Sequence, residues 1–212
     1  MPSKPFLASL HSVTLFAALA VASTCGCGSN DTFGNGTGPG TDAAVQSEAD
    51  ARAAYLGLDP SIDKAIGLGF DGFNSATSAN ISPQTAKGAL AGTMTVTGQV
   101  DQGASANKGM RLAVALAAYS DVADYIYDTV PAALPALTMQ LKGIPTGTLS
   151  GTLTGSFTMS GKQKGSVVLN LTFTGQLEAG TGAVKVQRKA GTTHITGTAV
   201  SPAGTFNVDV TR

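Results

Sequence analysis

Between residues 146 and 177 polar and apolar side chains alternate with a period of two. Thr146, Thr148, Ser150, Thr152, Thr154, Ser156, Thr158 and Ser160 all carry hydroxyls, and none of Gly147, Leu149, Gly151, Leu153, Gly155, Phe157 and Met159 between them is polar. A period of two marks a strand with one wet face and one buried face. After the polar turn Gly161-Lys-Gln-Lys-Gly165 the chain returns with Val167, Leu169, Leu171, Phe173 and Leu177 on one face. The pattern predicts a long β-hairpin. It recurs in Met94/Val96/Val100, Leu112/Val114/Leu116 and Leu137/Met139/Leu141, and later over residues 183–187, residues 194–200 and Phe206/Val208/Val210. About eight strands joined mostly by short glycine-bearing turns predict an antiparallel meander. A straight 15-residue strand would run about 50 Å, so Gly151 and Gly155 are expected to bend it, and a curled meander of this size tends towards a barrel.

Upstream the period changes to that of a helix. Residues 48–56 form one expected helix, broken at Gly57, and Asp59-Pro60 reads as the N-cap and first position of another. Ile62, Ala65, Ile66, Gly69 and Phe73 then fall on one stripe. That stripe is too apolar to face water, and three glycines weaken the helix, so it should pack on the inner face of the strands. Residues 75–85 read as a linker. The expected layout is a signal segment over residues 1–27, a tether over 28–46, a helical segment and linker over 47–85, and a β-domain over 86–212. The expected fold is mostly β: a curled or barrel-like antiparallel meander with one N-terminal helical segment packed on it.

Composition refines this picture. Apolar residues make up 42% of the chain, enough for a core, while charged residues are only 12%, about half the usual share. The polarity comes from Thr and Ser, as on a hydroxyl-covered sheet. Lys plus Arg and Asp plus Glu are 13 each, so there is no basic field for nucleic acid.

The N-terminus reads as an export signal: Lys4, an apolar run over residues 6–22, then Ala22-Ser-Thr-Cys25-Gly-Cys27-Gly. The end of this run resembles the lipobox of bacterial lipoproteins, with Gly26 before Cys27 fitting the position ahead of the lipidated cysteine. The usual leucine three residues before is replaced by Thr24, or by Ala22 if Cys25 is the acceptor. The resemblance implies lipidation at Cys27 or Cys25 and contact with a membrane through the lipid. The following stretch contains Gly34-Asn-Gly-Thr-Gly-Pro-Gly40 and has little to bury, as expected of a flexible tether.

Candidate chemistry is sparse. Gly67-Leu-Gly69-Phe-Asp-Gly72 matches a dinucleotide fingerprint in letters, but no strand precedes it and no βαβ unit surrounds it; close helix packing is the expected role. His194 is the one histidine beyond the signal, and its place among Thr196 and Thr198 predicts a solvated surface residue. That leaves no His/Cys metal set and little for Ser-His-Asp hydrolysis. Residues 119–135 form the one long excursion, with Asp121, Asp124, Tyr125, Tyr127 and Asp128. If residues 120–129 are helical, the three carboxylates share a face and could bind a sugar or a hard cation. The threonine ladders could also serve as a binding face.

The expectation is a lipid-anchored, non-enzymatic cell-envelope protein with a structural or binding role, needing no cofactor or metal, with a protein or carbohydrate partner unspecified. The alternative is a lipocalin-like carrier of an apolar ligand. What separates them is whether the helix fills the space inside the strands. An integral outer-membrane barrel is disfavoured by the lack of aromatic girdles.

Overall fold

The computed structural model describes residues 43–181 and 185–212. The expected signal segment, Cys25, Cys27, most of the tether and residues 183–184 of one expected strand lie outside them.

Two helices lead the domain, α1 (Glu48–Leu58) and α2 (Pro60–Ser75). Ser47 caps α1 by accepting from the Asp50 backbone N–H at 3.1 Å, while its hydroxyl donates to the Asp50 carboxylate at 2.9 Å. Gly57 does not break α1 as expected. It lies within the helix, at a position where only glycine fits, since a Cβ there would stand 2.3 Å from the Tyr127 hydroxyl oxygen. Nor does Asp59 cap α2: its backbone is itself α-helical and its side chain makes no capping bond. Pro60 alone sets the restart, and the Asp59 carboxylate turns inward.

Among the described residues ten strands follow: β1 (Asn80–Lys87), β2 (Ala91–Val100), β3 (Lys108–Ser120), β4 (Tyr125–Asp128), β5 (Ala136–Lys142), β6 (Thr148–Gly161), β7 (Gly165–Ala179), β8 (Val186–Arg188), β9 (His194–Ser201) and β10 (Gly204–Thr211). All their pairings are antiparallel, along the path β1-β2-β3-β4-β6-β7-β9-β10. β5 sits between β3 and β6, and β8 pairs with the end of β7. β1 and β4 exceed the sequence expectation. The linker over residues 75–85 is partly β1, which starts at Asn80, contains Pro83 and is an edge strand. The 146–177 hairpin forms as expected, Thr152 opposite Thr172 and Leu153 opposite Leu171. β6 changes partner from β5 to β4 across Gly155, the bend its length requires.

The result is a mostly antiparallel sheet curled into a partial ring, with the helical segment packed on it. α1 lies against β10, and α2 lies against β1 and β2 and reaches β8. Ile62, Ala65 and Ile66 of α2 are buried with Leu153, Phe157, Leu169 and Phe173 in one core. Phe70 rather than Phe73 completes the buried stripe; Phe73 is half-buried, with the Lys108 ammonium 4.3 Å from its ring centre. Where α2 faces Val114, Leu137, Leu153 and Phe157 the space left is about 10 Å³, room for one water at most. The last residues of the expected tether are already part of the domain. Ala43 bridges to Ser166, Val45 is fully buried, and the Val45 carbonyl accepts from the Ser201 hydroxyl at 2.5 Å.

Candidate functional site

The corner between α1 and α2 gathers a buried ion cluster around Arg188, the last residue of β8. Arg188 Nε donates to Asp63 Oδ1 at 3.0 Å and Nη1 to Asp59 Oδ1 at 2.8 Å. Nη2 donates to Asp59 Oδ2 at 3.1 Å, to the Asp59 carbonyl at 3.0 Å and to Asp63 Oδ2 at 2.8 Å. The Tyr55 hydroxyl donates to Asp59 Oδ1 at 2.5 Å, and Arg212 Nε reaches Asp59 Oδ2 at 3.4 Å. The Arg188 and Asp59 side chains are each 6% exposed; that of Asp63 is 40% exposed. Tyr55, Asp59 and Asp63 stand four apart, the spacing that stacks helical side chains on one face. Because Asp59 keeps helical dihedrals, the stack continues across the α1–α2 junction.

Burial pushes the Asp59 carboxyl up, but the hydrogen bonds and charge of Arg188 outweigh it and hold the group below the usual carboxylate range. Burial and the Asp59 charge push the Tyr55 phenol up, well beyond its ordinary value. Asp59 is therefore held as a carboxylate beside the Arg188 guanidinium and the neutral Tyr55 phenol. The donors of Arg188 are spent on Asp59 and Asp63, so the cluster works as a clamp, tying β8 and the end of β10 to the helices.

Grooves open on both sides of Arg188. One, of about 440 Å³, runs between Lys64, Gly67, Leu68 and Asp71 of α2 and Ala86 of β1. The other, of about 470 Å³, is bordered by Lys189, Gly191, Thr193 and Arg212. The first is a mainly apolar slot with charged edges; the second presents the cations Lys189 and Arg212 beside Asp59. Sequence reasoning missed this region. The four-residue spacing of Tyr55, Asp59 and Asp63 was readable, but their partner lies more than a hundred residues along the chain.

The acidic excursion is not helical. Residues 121–124 are a turn and Tyr125–Asp128 is β4, pairing Tyr127 with Met159 of β6. Strand geometry and the turn separate the carboxylates. Asp121 forms an ion pair with Lys64 and accepts from the Tyr119 hydroxyl and, at 2.7 Å, from the Ala89 backbone N–H. Burial pushes its carboxyl up, but these donors, Lys64 foremost, bring it below the usual range. Asp124 has a positive φ of 71° at the turn. Asp128 Oδ1 accepts from the Ala118 backbone N–H at 2.7 Å, bracing a residue whose φ is 45°. Tyr127 is buried, donates to the Ala54 carbonyl at 2.7 Å and meets the Phe157 ring edge-on at 6.5 Å. Tyr125 packs beside Gly57. The structure thus brings Tyr125 and Tyr127 together against Gly57 of α1 and sends Asp121 and Asp128 to separate partners, with Asp124 at the turn.

Among the described residues no three His, Cys, Asp or Glu side chains gather as a metal site. His194 lies on the exposed face as expected, 2.9 Å from Asp209. Gly72 of the fingerprint-like run sits where a Cβ would come within 2.8 Å of Ile81, so it is a helix-packing position. Thr138, Thr152, Thr172 and Thr196 form one row across β5, β6, β7 and β9, and the first three, with Thr174, line a shallow groove of about 390 Å³. Among the described residues no helix is long and apolar enough to cross a membrane. Compared with known proteins, the chain matches no family model, no curated protein and no solved structure.

Proposed function

We propose that this protein is a lipid-anchored cell-envelope domain with a structural or surface-binding role rather than an enzyme. The observation that carries the reading is the filled interior. Ile62, Ala65 and Ile66 are buried in the core inside the curled sheet, and where Ile62 and Ala65 face Val114, Leu137, Leu153 and Phe157 only about 10 Å³ is left, whereas a carrier of an apolar ligand needs several hundred. Any ligand would therefore meet the outside of the domain, at the grooves beside Arg188 or on the threonine rows. The spending of the buried charges on one another supports a structural role for them. The anchor itself rests on the lipobox resemblance at Cys25 and Cys27.

Intact-mass measurement of the membrane-extracted protein should show a diacyl or triacyl addition at Cys27 or Cys25. The Cys25→Ser, Cys27→Ser variant should leave the membrane fraction; if it stays, the anchor is wrong. A fluorescent fatty acid should show no saturable binding to this variant, and one-to-one binding would favour the carrier alternative.

A further inference from the structure

We infer that the rim built from the β1–β2, β3–β4 and β6–β7 turns lies directly on an anionic membrane surface, with Lys162 and Lys164 against the headgroups and Leu90 at the acyl boundary. This rests on the tether reading above and adds the face that meets the bilayer.

The first observation is where the chain joins the domain. Ala43 bridges to Ser166, just past the β6–β7 turn, and Val45 is fixed by burial and by Ser201. About 15 residues separate Cys27 from this point, and for the tether expected from the sequence that length gives a root-mean-square reach of roughly 22 Å. A domain of this size is about 40 Å across. The end where the chain joins therefore meets the bilayer first, and the opposite end is held off.

The second observation is the build of that end. Gln163 is buried in the middle of the β6–β7 turn and donates to the Asp50 carbonyl at 3.0 Å. Pinning the centre of the turn leaves Lys162 and Lys164 exposed on either side. The turn is linked onward: the Lys162 backbone N–H donates to the Asp124 carbonyl at 2.8 Å, and Asp121 receives the Ala89 N–H. Leu90, next in the chain, is 60% exposed, the most exposed large apolar side chain among the described residues. Lys87 is exposed beside it, and of the turn carboxylates Asp121 is already paired with Lys64, leaving Asp124 as the opposing charge. The far end also carries lysines, Lys142 and Lys189, so charge alone does not choose the face. The joining point and Leu90 do.

The test uses the membrane-extracted protein reconstituted into vesicles of phosphatidylcholine with 30% phosphatidylglycerol and a headgroup-borne quencher. A fluorophore on Lys162→Cys should be quenched severalfold more than one on Lys142→Cys. Adding Leu90→Ser and Lys164→Gln to the first should cut its quenching severalfold, as should 0.5 M salt, leaving only the smaller difference that the tether imposes. Equal quenching at the two sites, or quenching at residue 162 that these changes leave untouched, overturns the proposal. Intact mass of the same sample keeps the two readings apart. If no lipid is found the anchor fails alone, and vesicle binding of that protein still decides the rim. Lys162→Gln with Lys164→Gln should then weaken binding about twenty-five-fold, near fivefold per lysine, while Lys142→Gln with Lys189→Gln should leave it unchanged. Equal loss from both pairs, or from neither, overturns the rim.

Discussion

Replacing Arg188 with methionine keeps an aliphatic stem and removes the guanidinium from the α1–α2 corner. Asp59 would then be left 6% exposed with only the Tyr55 hydroxyl at 2.5 Å and Arg212 Nε at 3.4 Å. Taking one partner from a buried ion pair costs about 3–5 kcal/mol, because the other charge stays buried without compensation. Against a typical total of about 5–15 kcal/mol that is a large fraction, and it corresponds to a fall in melting temperature of about 6–20 °C for a chain of this length. Urea unfolding followed by circular dichroism measures it directly. The double variant Asp59→Leu, Arg188→Met removes both charges and should lose less than Arg188→Met alone, since replacing a buried pair with apolar side chains is often near neutral. The pH dependence has a definite sign. The folded Asp59 carboxyl lies below its unfolded value, so its stabilisation is present in full above about pH 4 and is lost as pH falls through the lower folded value. The gap between wild type and Arg188→Met should therefore narrow below about pH 4. A loss under about 1 kcal/mol for the single variant, or single losses that simply add in the double, would refute the picture of a dry, mutually dependent clamp.

Two further outcomes follow from the packing. Leu153→Ala should cost about 2–5 kcal/mol as a core truncation, whereas Thr154→Ala on the exposed face should stay within about 0.5 kcal/mol; equal effects in the same urea assay would mean that both faces of β6 are covered. Ile66→Asp places a charge at a fully buried position inside the sheet and should leave the protein binding a hydrophobic dye at room temperature; a native melting profile would show that α2 is dispensable.

Local chemistry was enough to write much of this fold. In the 146–177 hairpin a period of two leaves one face for the core, and a slip by one residue would put Leu149, Leu153 and Phe157 in water. The α2 stripe was readable for the same reason, as was its burial on the strands, because an apolar face must be covered. Strands with weak alternation were not readable. β1 is a largely exposed edge strand containing Pro83, and β4 is four residues whose Asp and Tyr side chains look like a surface helix until β3 and β6 pair with them. Tertiary structure alone decided the roles of single polar groups. Asp59 has the letters of a helix cap, yet its carboxylate turns to Arg188, more than a hundred residues away, because a buried guanidinium binds a carboxylate more strongly than backbone N–H groups do. Asp121 and Asp128 lie close in sequence and go to different partners, and Asp124 sits at the turn between them, because a turn and a strand point the three apart. Periodicity follows from the backbone and is local. Which charge meets which is settled only when distant elements close on one another and exclude water.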